Sequence, residues 1–498
     1  MNIFHPRTSA LLIIFVCILL ALPTSCGPSG DITTSLSSES ETVEPSIKVS
    51  PTPLPTRPVY EPGEIVDYIA QTGDTLPALA SHFNTTIEEI REANPIIPED
   101  VTTIPPGLPL QIPIYYQPLW GSPYRIVPDW AYVYGPTESD FDVVSYVNKK
   151  DGWLKNYDYY SGNEQRVGGQ LIQYVADNFS ISPRLLLAIA EFQTQALSNE
   201  NPPENIDEYT LGYEERNHKG FYRQLVWAAN ALNNGYYGWR AGLLNSFDLL
   251  DGSLIRPDPW QNAASVAIQF YFAQTIPADQ YGHAIQEDGL FNTYKTLFGN
   301  PWEIENDHIQ GSLQQPTLIF PFSPGTVWAY TGGPHTGWGQ GEPFSAIDFA
   351  PPNVAGGCTP STEWATAVSD GVIVRTGTGV AILDLDGDNN EQTGWNIFYL
   401  HLKSDTIPPV GTHLVAGDPI GLPSCEGGSS TGTHVHIARK YNGEWILAGG
   451  PLAFNLEGWI AHRGSTAYEG TLVRFNRTVI ACDCADNYSH IMASGSGQ

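Results

Sequence analysis

The stretch GTHVHIARKY, residues 432–441, reads as a β-strand and contains the pair His434 and His436. Because successive side chains of a strand point to opposite faces, both imidazoles lie on one face and Val435 lies on the other. Two imidazoles side by side suit one metal ligand and one proton acceptor next to it. The chain beyond Pro316 consists of short β runs bounded by Gly, Pro or Asp, which predicts a mainly β domain.

Three other polar residues of this region have unusual neighbours. His335 lies in the Gly-rich stretch GGPHTGWGQG, Asp348 in the apolar run FSAIDFAPP, and His401 in the apolar stretch FYLHL. Each alone has an ordinary explanation, but a buried carboxylate needs a strong partner because burying it bare is costly. A catalytic zinc site takes three protein ligands and leaves one position for water. Together these residues indicate a metal site, in which either His434 or His436 could be the ligand.

The remaining polar residues of interest receive simpler interpretations. His308 and His413 have no comparable setting and are expected at the surface. Tyr399, two residues before His401, is expected on the same strand face, with core packing as its main role and a hydroxyl near the site as the alternative. The stretch DLDGDNNEQ, residues 384–392, has its Gly too early for an EF-hand, so a hairpin turn is the better prediction than a calcium loop.

Residues 317–462 resemble the M23 zinc endopeptidases through the motifs HTGWGQGEPFSAIDFAPP, YLHL, VAGDPIG and SSTGTHVHI. The common family form has its first His four residues before the Asp, where this chain has Phe344. The position of His335, thirteen residues before Asp348, matches the longer spacing of the beta-lytic branch. The resemblance implies two groups of site residues: zinc ligands His335, Asp348 and His436, and catalytic His401 and His434.

The resemblance also implies a reaction. Zinc with one Asp and two neutral His ligands keeps a positive charge, polarises a peptide carbonyl and lowers the pKa of bound water towards ~7. His434 would take the proton and pass it to the leaving amine, and His401 would help to hold the oxyanion. The implied substrates are the peptide stems and cross-bridges of peptidoglycan. The alternative is a non-catalytic peptidoglycan-binding scaffold or amidase activator built on the same domain.

Residues 66–114 predict the element order βααβ. Thr75 is expected to cap the first helix, and Thr86 with Glu89 is expected to form a capping box at the second. The segment resembles a LysM domain in its GDT turn, its IEEIREAN helix and the PPG before its last strand. The resemblance implies that it binds glycans containing N-acetylglucosamine between two loops, with four contact residues: Gly73, Asp74, Thr75 and Asn94.

A helical pattern runs from about Ser161 to Phe298. Ser182 is a predicted N-cap in SPRLLLAIAEFQTQAL, and Gly235 is the predicted end of a later helix. The first stretch resembles lytic transglycosylases and lysozymes, in which a Glu-Ser pair supplies the general acid. This chain has Gln193 and Thr194 there, and an amide cannot donate that proton. We therefore expect a glycan-facing or spacer domain and not a glycan hydrolase.

The N-terminus predicts export. The 13-residue run ALLIIFVCILLAL has the length of a signal h-region and is short for a bilayer span. The sequence LPTSCG resembles a lipoprotein signal, which implies cleavage before Cys26 and a lipid anchor on its sulfur; ordinary signal cleavage nearby is the alternative. The Ser/Thr/Pro-rich residues that follow predict a linker. We expect an exported protein, anchored to the membrane and facing the cell wall.

Charge and cysteine content narrow the class of protein. With 23 Lys+Arg against 53 Asp+Glu and a net charge of −30, the chain is not expected to bind nucleic acid. Four cysteines lie beyond Cys26, and an even number in an oxidising compartment suggests disulfides. The pairing Cys358–Cys425 is preferred, but connectivity stays open from sequence alone. Cys482-x-Cys484 could also be a fragment of a metal site.

The length of 498 residues is enough for about three domains, since single cores seldom exceed ~250–300 residues. We predict a multidomain α+β protein with a small βααβ LysM domain, a helical lysozyme-like middle domain and a C-terminal, mainly antiparallel-β M23 domain. The expected boundaries are a signal peptide at 1–25, a disordered linker at 26–63, the LysM domain at 64–115, a connector at 116–160, the helical domain at 161–312 and the M23 domain with a C-terminal extension at 313–498.

Overall fold

A computed structural model describes residues 57–494 except residues 353, 355 and 485. The predicted signal peptide, the predicted lipidation site Cys26 and most of the predicted linker lie outside the described residues. Within the part of the chain that the structure describes, no helix is both long and apolar enough to cross a membrane.

The N-terminal module, residues 64–114, has two helices packed on a two-stranded antiparallel sheet. Its elements are β1 (Glu64–Ile69), α1 (Leu76–His82), α2 (Ile87–Ala93) and β2 (Pro109–Ile114). The Thr75 hydroxyl accepts a hydrogen bond from the backbone of Ala78, and Thr86 and Glu89 cap each other's backbone N–H. Both predicted caps are therefore confirmed. Each cap satisfies N–H groups that a helix leaves unpaired at its start.

The helical region, residues 126–298, surrounds one apolar core. Its elements are α3 (Val143–Asn148), β3 (Asp158–Ser161), β4 (Glu164–Val167), α4 (Gly169–Phe179), α5 (Pro183–Thr194), α6 (Phe221–Arg240), β5 (Phe247–Asp248), β6 (Leu254–Ile255), α7 (Ala263–Ala273), α8 (Ala278–Ala284) and α9 (Asn292–Phe298). Ser182 caps α5 as predicted, accepting a hydrogen bond of 3.3 Å from the backbone of Leu185. Trp130 and Trp153 of the expected connector are buried in this same core.

Gly235 does not end a helix, so that prediction is wrong. Helix α6 continues past it to Arg240. A Cβ atom at Gly235 would lie only 2.7 Å from the Cα atom of Ala267 in α7. The glycine allows the two helices to approach closely, and this packing outweighs the roughly 1 kcal/mol by which Gly disfavours a helix interior.

The β domain, residues 317–494, is built on a nine-stranded antiparallel sheet, which confirms the mainly antiparallel prediction. Its strands are β7 (Val327–His335), β8 (Ala346–Ala350), β9 (Ala365–Thr366), β10 (Gly371–Gly377), β11 (Val380–Asp384), β12 (Trp395–Leu400), β13 (His413–Leu414), β14 (Pro419–Gly421), β15 (Val435–Tyr441), β16 (Glu444–Ile446), β17 (Asn455–Leu456), β18 (Trp459–Arg463), β19 (Gly470–Arg474), β20 (Arg477–Ile480) and β21 (His490–Met492). The large sheet has the order β13-β10-β11-β12-β15-β8-β7-β21, with β16 beside β15. Strands β17 to β20 form a separate four-stranded sheet, and β9 pairs with β14.

The two faces of the large sheet pack against different partners. Val435 and Ile437 of β15 lie in the core of the β domain itself, whereas Ala438 of β15 and Phe398 of β12 lie in the core of the helical region. Because side chains alternate between the faces of a strand, His436 belongs to the second face. The helical region therefore covers the sheet face on which His436 lies.

Two disulfides close loops of the β domain. Cys358 is bonded to Cys425, which is the pairing preferred from the sequence. Cys482 is bonded to Cys484, two residues further along the chain. The Cys482-x-Cys484 pair is therefore a disulfide in this structure and not a fragment of a metal site.

Arg240 and Glu444 connect the three parts of the molecule. Arg240, at the end of α6, donates a hydrogen bond to the carbonyl of Thr72 in the N-terminal module, and it pairs with Asp129 and with Glu444 of β16, each at 3.1 Å. Nε2 of His308 lies 2.7 Å from the same Glu444 carboxylate, and His308 is only 1% exposed. The prediction of a surface His308 is therefore wrong, because a carboxylate far away in sequence gives this imidazole a buried partner.

Protonation of Glu444 is expected to destabilise the fold. Burial alone would raise its pKa, but Arg240 and His308 beside it lower the pKa from 4.5 to about 2. The charged form therefore stabilises the native state above pH ~4.5, and this contribution is lost as the pH falls towards 2. Glu444→Gln should reduce the free energy of unfolding by roughly 3 kcal/mol at pH 7. In urea titrations the difference from wild type should shrink between pH 5 and pH 2.

Asp405 provides a matched control. It lies 2.8 Å from Lys403 and is 69% exposed, so solvent screens this pair. Asp405→Asn should change the free energy of unfolding by less than about 1 kcal/mol at either pH. A Glu444→Gln variant as stable as wild type at pH 7 would contradict the role given to Glu444.

Candidate metal centre

Three strands of the large sheet bring His335, Asp348 and His436 together. His335 ends β7, Asp348 lies in the middle of β8, and His436 of β15 lies directly opposite Asp348 in the antiparallel register. Nε2 of His335 is 3.1 Å from Nδ1 of His436, and Oδ1 of Asp348 is 3.3 Å and 3.2 Å from these two nitrogens. All three residues are at most 4% exposed. They are the three residues implied as zinc ligands by the family resemblance.

Backbone carbonyls orient both imidazoles. Nδ1 of His335 is 2.8 Å from the carbonyl oxygen of Gly333, and Nε2 of His436 is 3.1 Å from that of Gly337. Because a carbonyl only accepts, each of these nitrogens carries a ring hydrogen, and in the neutral ring the other nitrogen keeps a lone pair. Two lone pairs and a carboxylate oxygen then face one another. Among the residues that the structure describes, none donates a hydrogen bond to the buried Oδ1 of Asp348.

This donor set fits a divalent metal ion. A tetrahedral metal at roughly 2.0–2.1 Å from nitrogen and oxygen ligands holds those ligand atoms about 3.3 Å apart. Here the three donor atoms are separated by 3.1–3.3 Å. With both rings neutral, buried lone pairs and a carboxylate oxygen face one another, which is unfavourable unless a cation lies between them. His335 Nε2, Asp348 Oδ1 and His436 Nδ1 are therefore the atoms that would hold the ion.

The charges of the site favour a cation at the same place. Burial alone would raise the pKa of Asp348, but His335 and His434 beside it lower the pKa well below the usual range. Burial alone would lower the pKa of His335, but the Asp348 carboxylate outweighs this effect and raises it. The carboxylate therefore stays ionised, and positive charge next to it is stabilised.

The Gly-rich stretch before His335 permits this close arrangement. A Cβ atom at Gly332 would lie 2.5 Å from Oδ2 of Asp348, so any side chain there would displace the carboxylate. A Cβ atom at Gly333 would lie 2.5 Å from the backbone oxygen of Glu469. Both glycines are thus required by close approach of neighbouring groups.

His401 and His434 lie beside the three candidate ligands. Nε2 of His434 is 3.6 Å from Oδ2 of Asp348, and its Nδ1 is 2.8 Å from the carbonyl oxygen of Gly432. Nδ1 of His401 is 2.9 Å from the carbonyl oxygen of Glu426, and the two ring centres are 4.6 Å apart. Since each Nδ1 donates to a carbonyl, each ring presents an Nε2 with a free lone pair. Both histidines can therefore accept a proton at this nitrogen.

His401 differs from the neighbouring strand residues in conformation and in charge. Strand β12 ends at Leu400, and His401 has a φ of 64°, so it does not share a face with Tyr399. The Tyr399 hydroxyl instead accepts a hydrogen bond of 2.8 Å from the backbone of Val368 in the core of the β domain, which confirms its packing role. Burial, followed by the nearby His434, lowers the pKa of His401 to about 3, so its ring is neutral at pH 7.

Tyr468, which no motif of the sequence marks, forms one wall of the site. Its ring stacks on His335 with the ring centres 4.2 Å apart and the planes at 22°. Its carbonyl accepts a hydrogen bond of 2.8 Å from the backbone of Gly333. Tyr468 lies in the loop between β18 and β19, outside the four motifs, so only the tertiary structure identifies it.

The four predicted glycan-binding residues all have contacts within the protein. The buried carboxylate of Asp74 accepts hydrogen bonds from a tyrosine hydroxyl and from a backbone N–H, both at 2.7 Å. The amide of Asn94 bonds backbone groups at both ends, and Thr75 caps α1. A Cβ atom at Gly73 would lie 2.5 Å from the Arg240 guanidinium. The loop that contains Gly73 therefore packs against the helical region.

Gln193 occupies the position at which the lysozyme-like resemblance expects a general acid. Its Oε1 accepts a hydrogen bond of 2.6 Å from the Tyr271 hydroxyl, and its Nε2 donates one of 3.1 Å to the carbonyl of Leu211. Glu191 on the same helix accepts a hydrogen bond of 2.7 Å from the backbone of Leu197. The side chain at the expected position of the acid is therefore a packed amide, which cannot protonate a leaving sugar oxygen.

A second acidic cluster consists of Asp384, Asp386 and Asp388. Oδ2 of Asp384 accepts a hydrogen bond of 3.0 Å from the backbone of Asn389, and Oδ1 of Asp388 accepts one of 2.9 Å from the backbone of Asn390. Such side chain–backbone bonds are turn contacts. The cluster runs from the last residue of β11 into the connection to β12, in agreement with the predicted hairpin turn.

Comparison with known proteins gives matches along much of the chain. A family model described as LysM domain matches residues 68–113, and one described as LasA, N-terminal domain matches residues 125–312. Protease LasA of Pseudomonas aeruginosa strain UCBPP-PA14 is 24% identical over 384 residues, which are 72% of this chain and 83% of that protein. Beta-lytic metalloendopeptidase of Achromobacter lyticus is 29% identical over 168 residues, 32% of this chain and 42% of that protein.

Among solved structures, the M23 metalloprotease pseudoalterin is 26% identical. The match covers 34% of this chain and 96% of pseudoalterin, with a TM-score of 0.29.

Each of the three candidate ligands should be required for tight metal binding. We expect each of three substitutions to reduce zinc affinity about 100-fold or more: His335→Ala, Asp348→Ala and His436→Ala. Each one removes one of the three ligand atoms and leaves only two to hold the ion. Competition with a fluorescent zinc chelator measures the effect. His413→Ala, at an exposed position of β13, is the matched control and should bind zinc like wild type. Tightly bound zinc in His436→Ala would show that this ligand is assigned wrongly.

Proposed function

We propose that this chain, which is an M23 family metallopeptidase with an N-terminal LysM domain, is a zinc endopeptidase that hydrolyses peptide stems or cross-bridges of peptidoglycan. One observation carries the proposal. The three donor atoms of His335, Asp348 and His436 are buried and lie 3.1–3.3 Å from one another, beside two histidines whose ring centres are 4.6 Å apart. This combination suits a metal ion together with an adjacent proton acceptor.

In the proposed reaction the metal ion activates the carbonyl and the water, and side chains of the protein transfer the proton. Zinc at this site would polarise a peptide carbonyl and make water acidic enough to react near pH 7. His434 is the proposed general base, because its Nδ1–H is engaged with the Gly432 carbonyl and its Nε2 lone pair lies beside Asp348. The same nitrogen then returns the proton to the leaving amine.

His401 is proposed to act on the oxyanion that develops on the peptide carbonyl. Its ring lies 4.6 Å from that of His434, so both rings border the same space. Its Nδ1–H is engaged with the Glu426 carbonyl, so it would donate to an oxyanion only from Nε2. That nitrogen would take its proton from solvent water as negative charge develops on the carbonyl oxygen, because the oxyanion stabilises the imidazolium form. The Glu426 carbonyl stabilises the ring in either state, because Nδ1 keeps its hydrogen throughout.

Peptidoglycan is the proposed partner of both ends of the molecule. A LysM domain suggests glycan binding at the N-terminal module, and the peptidase site suggests cleavage of the attached peptides. Binding one component of a polymer raises the effective concentration of the other component at the second site. We propose that the N-terminal module directs the peptidase to the cell wall in this way.

The alternative function is a non-catalytic, wall-binding scaffold. It is favoured by the cover that the helical region forms over the sheet face of the site, together with the burial of His401 and the three candidate ligands, each at most 4% exposed. His434, whose side chain is 16% exposed, is the most accessible of the site histidines. The two functions differ in whether the full chain releases peptide products.

Export is proposed as the setting of this activity, since peptidoglycan lies outside the cytoplasm. A lipid anchor on Cys26 would hold the enzyme at the membrane that faces the wall. Cys26 lies outside the described residues, so mass spectrometry of the mature N-terminus is the direct test. An unmodified N-terminus at another residue would contradict the anchor and leave the peptidase assignment intact.

Digestion of purified peptidoglycan tests the peptidase assignment. The zinc-loaded full chain should release fragments with new peptide amino groups and no new reducing sugar ends, identified by mass spectrometry. His434→Ala and His401→Ala should each lower kcat about 100-fold or more while one zinc ion per chain stays bound, because they remove proton transfer without removing a ligand.

His413→Ala serves as the control again and should keep wild-type kcat. A zinc-loaded full chain that releases no peptide products would favour the scaffold. New reducing sugar ends would point to glycan cleavage by the helical region instead.

A further inference from the structure

The disulfide between Cys358 and Cys425 joins two loops that hold the proposed catalytic histidines. One half lies between β8 and β9, and the other lies between β14 and β15. The two cysteines are 67 residues apart in the chain. The bond therefore ties together two segments that would otherwise meet only through non-covalent contacts.

The loop of Cys358 binds the residue before His434. The backbone N–H of Thr433 donates to the Gly357 carbonyl at 3.0 Å, and the Thr433 hydroxyl donates to the Thr359 carbonyl at 2.5 Å. Thr433 is buried. Gly357 and Thr359, the two neighbours of Cys358, thus fix the backbone position of Thr433 and so that of His434 next to it.

The loop of Cys425 holds His401. The Glu426 carbonyl accepts the Nδ1 hydrogen of His401 at 2.9 Å. The backbone N–H and the hydroxyl of Ser424 both donate to the carbonyl of His401, at 2.6 Å and 3.0 Å. The residues on either side of this cysteine therefore set both the ring and the backbone of His401.

The candidate metal ligands are held by other means. His335, Asp348 and His436 lie on three paired strands, and the carbonyls of Gly333 and Gly337 orient the two rings. These contacts involve neither of the two disulfide-linked loops. The disulfide therefore constrains the two proposed catalytic histidines and not the three candidate metal ligands.

We propose that Cys358–Cys425 is a positioning disulfide, which holds the Nε2 atoms of His401 and His434 in their working arrangement and leaves metal binding independent. The proposal rests on the proposed function, because only there do these two histidines act on a substrate. A dithiol reductant would supply two electrons and two protons, so that the S–S bond breaks, two thiols form and the reductant becomes a disulfide. The reduced protein keeps its metal and loses the constraint on the two rings.

Paired serine variants of the full chain test this proposal. Cys358→Ser with Cys425→Ser should lower kcat about 10-fold or more, since small displacements of catalytic groups are costly, while KM and zinc affinity change less than about 3-fold. Cys482→Ser with Cys484→Ser removes the other disulfide and should leave all three quantities unchanged. Wild-type kcat in the first pair, or a parallel loss of zinc affinity, would overturn the proposal.

A second readout does not depend on hydrolysis. In proton magnetic resonance of the zinc-loaded protein, the Nδ1–H signal of His401 should be lost to exchange in the first variant pair, while those of His335 and His436 persist. An unchanged His401 signal would overturn the proposal even where the proposed function holds. Wild-type protein that cleaves no peptidoglycan would refute the proposed function, and the His401 signal would still report whether the disulfide holds this ring.

An independent observation concerns the N-terminal module. The segment Ile309–Leu313, which connects the helical region to the β domain, lies against two loops of this module, residues 70–75 and residues 94–108, which contain the four predicted glycan-binding residues. Thr72, next to Gly73, exchanges two hydrogen bonds of 2.9 Å and 3.0 Å with the backbone of Ile309. Thr103 in the other loop makes three of 2.8–3.0 Å to the same segment. A segment of the chain itself thus bridges the two loops.

Close packing leaves little space for a further group there. A Cβ atom at Gly311 would lie 2.6 Å from the Cα atom of Pro105 in the N-terminal module. On the other side, the Arg240 guanidinium lies against Gly73. Polar groups of both loops are already paired with the protein, so a sugar would have to replace these contacts.

We infer that the segment Ile309–Leu313 closes the proposed glycan-binding loops, so that a glycan chain binds only when the segment leaves. This inference rests on the proposed glycan binding of the N-terminal module. Displacing the segment costs free energy, so the loops are open in only a fraction of the molecules. The observed affinity is the intrinsic affinity multiplied by that fraction. A substitution that weakens the seating of the segment should therefore strengthen glycan binding.

Titration calorimetry of the full chain with an N-acetylglucosamine tetramer tests this inference. Gly311→Ala, whose new Cβ meets Pro105, should bind about 5-fold or more tightly than wild type. Gly377→Ala, whose nearest neighbouring atom is 3.6 Å away, is the matched control and should bind like wild type. Equal affinity in Gly311→Ala and wild type would overturn the closure alone. No binding in any of the three proteins would overturn both the closure and the proposed glycan binding.

Discussion

The buried carboxylate of Asp348 is the constraint on which the site depends. It is almost fully removed from water, it stays ionised, and one of its oxygens accepts no hydrogen bond from the part of the chain that the structure describes. Burying a bare charge is unfavourable, so the surrounding groups must compensate for it. Gly332 lets the carboxylate approach β7, and the carbonyls that orient His335 and His436 turn a lone pair of each ring towards it. The protein thus concentrates a carboxylate and two imidazole nitrogens at the place where a cation would be held.

A second network joins the parts of the molecule that flank this site. The guanidinium of Arg240 contacts the N-terminal module at Thr72, the helical region at Asp129 and the β domain at Glu444. Because these charges are buried, each depends on the others to offset its loss of hydration. One network of buried charges therefore holds the helical region over the large sheet and the N-terminal module beside it. The contacts of Arg240 therefore help to set the position of the helical region over the sheet face of the candidate metal centre and the position of the N-terminal module.

Local features of the fold followed from the sequence, and distant ones did not. The cap at Ser182 was predictable because its hydrogen bond spans three residues. Gly235 was misassigned as a helix end because its partner Ala267 lies on another helix, and only the packing of the two helices requires a glycine. His308 was misassigned to the surface for the same reason, since its partner Glu444 lies 136 residues further along the chain.

By itself, the sequence determined which residues are candidates for the site. Alternation along a strand places His434 and His436 on one face, and the other candidates are polar residues within glycine-rich or apolar runs. The sequence left open which of the two histidines faces the carboxylate oxygen most closely, and it contained no sign of Tyr468. The tertiary structure decided both, together with the cover over the sheet face and the seating of Ile309–Leu313. The physical reason is that alternation along a strand is a local property of the backbone. Separations of about 3 Å between atoms on β7, β8 and β15 depend on strand register and on contacts between residues far apart in the chain.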